Sequence, residues 1–445
     1  MLTRIEIDGF KTFERFSLDL QPLTAIVGPN ASGKSNLFDA LRFLSLLAQH
    51  DIRTAMQGLR GEPEELFRQT ATGTATSMSF AVEVLLPRTG IDAFGASYTT
   101  VSQRLRYEVQ LGIGEGTARG IFVKNEACRA IFKKDERGTF SKWRGISYSN
   151  RASPFIGTTL KTDASEGAIA IGQDGPKRHG LPRKLSLKEA SRTALSTITT
   201  SEFPHLYALR EVLADIRFLE IDPRAARGAN DRFEGRVLKS DASNLAAVLA
   251  HLKNETATPK GPDGVLSEIA ADLASLIPSV HRLEIQDHPN QRQYSFSLQF
   301  VGDLMFSSRV ISDGTLRLLA LLTVLNDPRR RGILCFEEPE NGVHEGRVPM
   351  LVQFLRDAVA GGTEADGSSF QVLLNTHSPK VMAALHDDEI VAADNIVGVD
   401  PKTGNSSVRT RMRPGIQPSG DPIDPEHYLT RFEVERLLQK STDAA

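Results

Sequence analysis

The chain has 445 residues, 40% hydrophobic and 24% charged, with a formal net charge of −2, the composition of an ordinary folded protein with apolar residues enough for a sizeable core. So small a net charge excludes a global attraction to nucleic acid or anionic lipid, and any such contact must come from a local patch. Cys128 and Cys335 stand far apart and without CxxC company, which argues against a disulfide framework or a cysteine zinc site and suits a reducing cytoplasm.

No apolar run approaches the ~20 residues that span a bilayer. The first residues, MLTRIE, carry acid among the apolar positions and have no signal-peptide core. A cytoplasmic protein with no membrane partner is therefore expected.

In chain order, residues 2–7 and 16–20 alternate like strands, and residues 23–27 form a short apolar strand. A glycine-bearing loop follows, and residues 35–48 then have helical periodicity through Leu37, Leu41, Leu44 and Leu47. Alternating runs at 77–84 and 105–111 predict antiparallel strands. Residues 135–190, rich in Gly, Ser, Lys and Arg, read as loops with short elements, and helical patterns dominate 200–278. After Leu283 the pattern returns to α/β, with a strand over 294–301, a helix over 313–325, a buried strand over 333–336, a helix over 348–360 and a strand over 372–375. The expected units are 1–75 and 285–415 as two halves of one nucleotide-binding α/β fold, an inserted β and loop region at 76–200, a helical region at 201–284 and a tail at 416–445.

Gly28, Pro29, Asn30, Ala31, Ser32, Gly33, Lys34 and Ser35 match GxxxxGK[ST] in full, between a predicted strand and a predicted helix. Glycines let the backbone wrap phosphate, with N–H groups converging at a helix N-terminus. Lys34 is expected to neutralise the β- and γ-phosphates of ATP, and the Ser35 hydroxyl to ligate Mg2+. Residues 333–338, ILCFEE, supply the acidic complement: Glu337 to hold Mg2+ and Glu338 as general base toward the attacking water. A hydrophobic run ending in acid is common by itself, and the P-loop makes it specific. His377, at the end of the strand over 372–375, is expected beside the γ-phosphate, against the plainer reading of a loop histidine. Ser312 or Asp313 caps the helix over 313–325. With Gly314 it also makes a second anion-favouring helix end.

The P-loop, a Ser-x-Gly signature 25 residues before Glu337, the double-acid strand and the downstream histidine resemble an ABC-type ATPase head. The opening IEIDGFKTF and the form GPNASGKSN are similar to the RecF, SMC and OLD-nuclease branch. FLEIDPR at 218–224, DASNL at 241–245 and EPENGVH at 338–344 resemble the "predicted ATPase" group of bacterial anti-phage operons. The resemblance implies a P-loop NTPase head, a mixed α/β sheet with flanking helices, split by the inserted region. It implies ATP sandwiched between two heads: residues 28, 30 and 33–36 of one copy, Asn36 included, hold nucleotide, while Ser312 and Gly314 of the other meet its γ-phosphate. Asn341 is a candidate dimer contact and Gln69 a candidate for the glutamine that helps hold Mg2+, against the plainer reading of a solvated loop residue.

OLD-like relatives add a metal nuclease module. Here Asp387, Asp388 and Glu389 read as a solvated charged turn, and Asp421, Asp424 and Glu426 sit among prolines, so an effector activity is expected from a partner protein. Residues 121–190 hold fourteen Lys and Arg against seven Asp and Glu, interleaved with Phe132, Phe140, Trp143 and Tyr148. That region reads first as a solvated insertion whose aromatics pack locally, and otherwise as a nucleic-acid or acidic-partner surface. The functional expectation is a homodimerising, Mg-dependent ATPase that switches a partner or a nucleic-acid contact, in phage defence or DNA repair. The alternative is a low-turnover ATP-sensing scaffold, and a transporter subunit fits less well.

Overall fold

The computed structural model describes residues 1–445 apart from 71–72, 115–119, 137–144, 149–150, 160–166, 176–179, 361–369, 400–405, 417–423, 425 and 443–445. At its centre lies a six-stranded sheet in the order Ile216–Leu219, Gly332–Glu337, Phe370–Thr376, Leu23–Val27, Ile390–Val399, Ser406–Pro414. The first five strands pair in parallel, and the last returns antiparallel to its neighbour. Parallel strands need both faces covered, and the side chains obey that rule with a period of two. Ile333, Cys335, Leu373, Val391 and Ala393 face one core. Leu334, Phe336, Val372, Leu374, Ile390 and Ala392 face the other.

The first core is closed by the helix Lys34–Leu47 and by an antiparallel sheet of eight strands running Arg183–Ser186, Ala168–Ile171, Ile156–Thr159, Ile121–Ala130, Arg104–Ile113, Ser77–Leu85, Leu2–Asp8, Phe16–Asp19. The second core is closed by the helices Leu245–Thr256, Leu266–Leu276, Asp313–Leu325 and Val348–Ala360. A small sheet, in which Gln293–Phe300 pairs with Val280–His288, Asn230–Asp231 and Leu304–Ser307, flanks that layer.

One element differs in type from the sequence expectation. Ile216–Leu219 lies within the expected helical region, yet it is a strand of the central sheet, parallel to the acidic strand. The short elements expected among the loops of 135–190 include, among the described residues, three strands that extend the eight-stranded sheet. Six strands between Ser77 and Ser186 thus share one sheet with Leu2–Asp8 and Phe16–Asp19. Within the basic stretch, Arg151 stacks on Phe155 at 4.3 Å, and the Tyr148 hydroxyl donates to Glu136. Phe140 and Trp143 lie outside the described residues. In the turn at 387–389 Asp388 is exposed as expected, but Glu389 is 8% exposed and takes both arms of Arg356 at 2.8 Å, and Asp387 accepts from Arg431. The buried Glu389 carboxylate keeps its charge because a planar two-armed donor meets both oxygens. Asp424 and Glu426 serve local contacts, to His427 and Arg411, and Asp421 lies outside the described residues. No helix among the described residues is long and apolar enough to cross a membrane.

Candidate nucleotide site

The site sits at the carboxyl ends of the central strands, where open parallel sheets bind ligands. Strand Leu23–Val27 runs straight into the loop 28–33, which opens the helix Lys34–Leu47. The loop's path demands glycine at its end. Gly33 has φ 90°, and a Cβ there would lie 2.0 Å from Thr410 Oγ1. At Gly28 a Cβ would lie 2.4 Å from the Ala393 carbonyl oxygen. The hairpin formed by Ile390–Val399 and Ser406–Pro414 thus presses on the loop from one side, and Asn395 Nδ2 adds a hydrogen bond to the Ala31 carbonyl, 2.7 Å away.

On the other side stand the acids. A cleft of about 490 Å3 is lined by residues 30–36 together with Glu337, Glu338 and Asn375. The Ser35 hydroxyl donates to Glu337 Oε1 at 3.2 Å, and Asn375 Nδ2 donates to the same oxygen at 2.9 Å. Hydroxyl and carboxylate are the hard oxygen donors that Mg2+ takes, so these two residues fit that ion. The loop also fits phosphate. Ser32 Oγ is buried and has no hydrogen-bond partner among the described residues. Lys34, 7% exposed, turns its ammonium onto the Gly28 and Pro29 carbonyls at 2.7 and 2.8 Å. Burial holds its pKa below the usual lysine value, and the charges of Glu338, Glu337 and Glu340 oppose that shift. Asn36 Nδ2 ties the start of the helix to Thr12 Oγ1, which in turn meets Thr410 Oγ1.

Glu338 begins the loop after the acidic strand with φ 51°, a left-handed conformation that costs a non-glycine residue energy and marks a constrained position. Its N–H donates to the Asn375 carbonyl, and its carboxylate Oε1 lies 2.8 Å from His377 Nδ1. Glu338 and His377, 39 residues apart in the chain, therefore meet. Glu340 completes the group, with ligand-type atoms of all three residues within 4.8 Å of one another. Burial, with the Glu338 charge adding to it, pushes the Glu340 carboxyl up to about 7, while Thr376 Oγ1 donates to its Oε1.

Ser312 caps the helix Asp313–Leu325 through its hydroxyl, which accepts from the Thr315 N–H. Neither Ser312 nor Gly314 lines the cleft. Gly314 instead touches Gly342, where a Cβ on Gly314 would lie 2.8 Å from the Gly342 Cα, so the signature helix abuts the loop that begins at Glu338. Asn341 donates its N–H back to Glu338. Gln69 is exposed, accepts from Thr74 and stands outside the cleft lining. Residues that sequence reasoning passed over are Asn375, Thr376 and Glu340, all visible beside motifs it did use, and Thr12, Asn395 and Thr410, whose partners are too remote in the chain for any local signal.

Comparisons with known proteins agree with this layout. Residues 1–63 match the family model "RecF/RecN/SMC N terminal domain", and residues 177–383 match "AAA domain, putative AbiEii toxin, Type IV TA system". Over 44 residues, 10% of the chain, it is 54% identical to the chromosome partition protein Smc of Methanocaldococcus jannaschii, covering 4% of that protein. Over 131 residues, 29% of the chain, it is 27% identical to the DNA replication and repair protein RecF of Roseiflexus castenholzii, covering 31% of that protein. The chain thus spans only a small part of the curated relatives it matches. Among solved structures, an Smc head bound to the C-terminal winged-helix domain of ScpA aligns with a TM-score of 0.50 at 13% identity, covering 92% of this chain and 97% of that one. The fold is that of an ABC/SMC-type P-loop ATPase head.

Proposed function

We propose that this chain binds and hydrolyses ATP with Mg2+, and that two copies of the head close around the nucleotide. The observation that carries the reading is the meeting, in one cleft, of residues 30–36, the Ser35–Glu337 hydroxyl–carboxylate pair and Glu338, which His377 touches from beside the cleft. Lys34 and the loop N–H groups hold the phosphates. Ser35 and Glu337 would hold Mg2+, which would supply charge neutralisation to the bound phosphates. Glu338 takes a proton from the attacking water, and His377 keeps its carboxylate aimed at the cleft. Ser312 and Gly314 lie outside their own cleft, which supports their use toward the nucleotide of a second copy. Closure on ATP and release after hydrolysis then make a switch, because a ligand that binds the closed pair better shifts the population toward it.

The setting we assign is control of a partner effector protein, in phage defence or DNA repair. Support comes from the toxin–antitoxin description of the matched family and from the ScpA-bound Smc head with the same fold.

Glu338→Gln is the test. It should bind ATP as the wild type does, lose turnover by about 10²–10⁴-fold, the usual contribution of a general base, and accumulate ATP-bound dimers in light scattering. Turnover at the wild-type rate would remove Glu338 as the base. Negligible turnover in the wild-type chain itself, with and without DNA, would make the protein an ATP-sensing scaffold instead.

A further inference from the structure

We propose that Arg227 is a positioning residue for nucleotide capture: it cancels the charge of Asp313 at the helix end where the triphosphate of a second copy must arrive. The inference rests on the reading above that the Ser312 end of this helix faces that triphosphate.

Asp313 is the first residue of the helix Asp313–Leu325, between Ser312 and Gly314, with its side chain 70% exposed. A helix N-terminus favours an anion with the equivalent of about half a positive charge. A full negative charge standing on the same turn outweighs that attraction, so a bare Asp313 would repel the triphosphate from the surface meant to receive it.

Arg227 removes the conflict. Its Nη2 donates to the Ile311 carbonyl at 2.8 Å and pairs with Asp313 Oδ1. Its Nη1 donates to the Pro223 carbonyl at 2.9 Å, and its own carbonyl accepts from Ser308 Oγ at 2.7 Å. The guanidinium is thus held by contacts to the short helix Pro223–Ala226 and to the segment 308–313, and it is no free surface cation. Exposed ion pairs contribute little to folding, so stability is a weak reason for such an arrangement. Neutralising a carboxylate beside an incoming polyphosphate is a strong one, because removing repulsion acts directly on association.

The test is a charge-rescue cycle on the full chain in the Glu338→Gln background. It reads the ATP concentration that half-saturates dimerisation by light scattering, and in parallel the affinity of the single head for a fluorescent ATP analogue. Arg227→Ala should raise the half-saturating concentration by about tenfold or more, about 1.4 kcal/mol per tenfold, with single-head affinity held. Adding Asp313→Asn should bring it back to within about twofold, since the repulsive charge is then gone. Asp313→Asn alone should lower it. A double variant as impaired as Arg227→Ala would show that Arg227 merely shapes the loop through the Ile311 carbonyl, and would overturn the proposal, as would wild-type dimerisation by Arg227→Ala. Ser312→Arg serves as the separate control. If it dimerises normally, the two-copy reading has failed; if it is blocked while the rescue fails, only the role of Arg227 has.

Discussion

Gly33 shows how a single residue can bind two distant parts of the chain into one site. Its φ of 90° would be strained in any other residue, and Thr410 fills the space a side chain would need. Gly33→Ala should therefore fail to bind ATP in calorimetry. Gly33→Ala with Thr410→Ser should stay impaired, because the hydroxyl and the backbone angle remain. The glycine, the lysine and the paired acids were legible because their chemistry needs fixed spacing within a few residues. Thr410 and Asn395 were not, because their contacts to the P-loop span hundreds of residues and leave no local pattern.

A second single-residue case lies away from the cleft. Glu126 is fully buried, and both of its oxygens accept hydrogen bonds, from the N–H groups of Ala194 and Leu195 and from the Tyr107 hydroxyl. Burial pushes its carboxyl up to about 7 against the pull of those donors. The folded pKa thus lies above the ordinary value of ~4.3. Its contribution to stability is then complete below pH ~4.3 and is lost as the pH rises through 7, because the folded state holds the proton longer. Glu126→Gln lacks that titration. The stability of the wild type relative to the variant, read from urea midpoints, should fall between pH 5 and pH 8. A constant or rising difference would show that the donors, not burial, control this carboxyl.

Among the elements, the helices Asp313–Leu325 and Val348–Ala360 match their sequence-predicted bounds because each is a long apolar-rich run, the first opened by the Ser312 cap and the second with a buried stripe through Val348, Leu351, Val352 and Leu355. Ile216–Leu219 escaped for the opposite reason: four residues directly after a helix that ends at Ala214 leave no room for a pattern. The hairpin Ile390–Val399 with Ser406–Pro414 mixes buried Ile390, Val391 and Ala392 with exposed Val397, Val399 and Val408, so its two ends contradict each other as a strand signal. One contact between elements bears on mechanism. Gly342, at φ 94°, would place a Cβ 2.5 Å from the Gly314 Cα, so the helix Asp313–Leu325 and the loop that begins at Glu338, the proposed general base, cannot shift independently. Gly342→Ala should leave the affinity of a single head for ATP within about twofold while turnover falls at least tenfold, the separation of kcat from binding that marks a misplaced catalytic group. Equal loss of both would make the contact structural only.

At the scale of the whole molecule, the central sheet is covered on both faces, and the cover on one face comes from a stretch that reads in sequence as an insertion. Strand Leu2–Asp8 hydrogen-bonds to Ser77–Leu85, and Phe80 packs edge-on against Phe10 and Phe43. Val82, Tyr107 and Val109 belong to the same buried core as Ile5, Ile7 and Leu44 of the first unit. Joining residue 75 to residue 201 through a short glycine linker would expose that core face. Each uncovered large apolar side chain costs roughly 1.5–3 kcal/mol, and the whole stability of a protein is only about 5–15 kcal/mol. Five or six such side chains exhaust it. The deletion should therefore give a chain without a cooperative thermal transition and without ATP binding, although every P-loop and acidic residue is still present. A folded, nucleotide-binding deletion would show instead that residues 76–200 are a dispensable attachment and that the helix Lys34–Leu47 finds its cover elsewhere. The first outcome has a functional consequence: a partner or ligand acting on the outer face of the eight-stranded sheet would press, through Phe80 and Phe43, on the helix that opens at the P-loop.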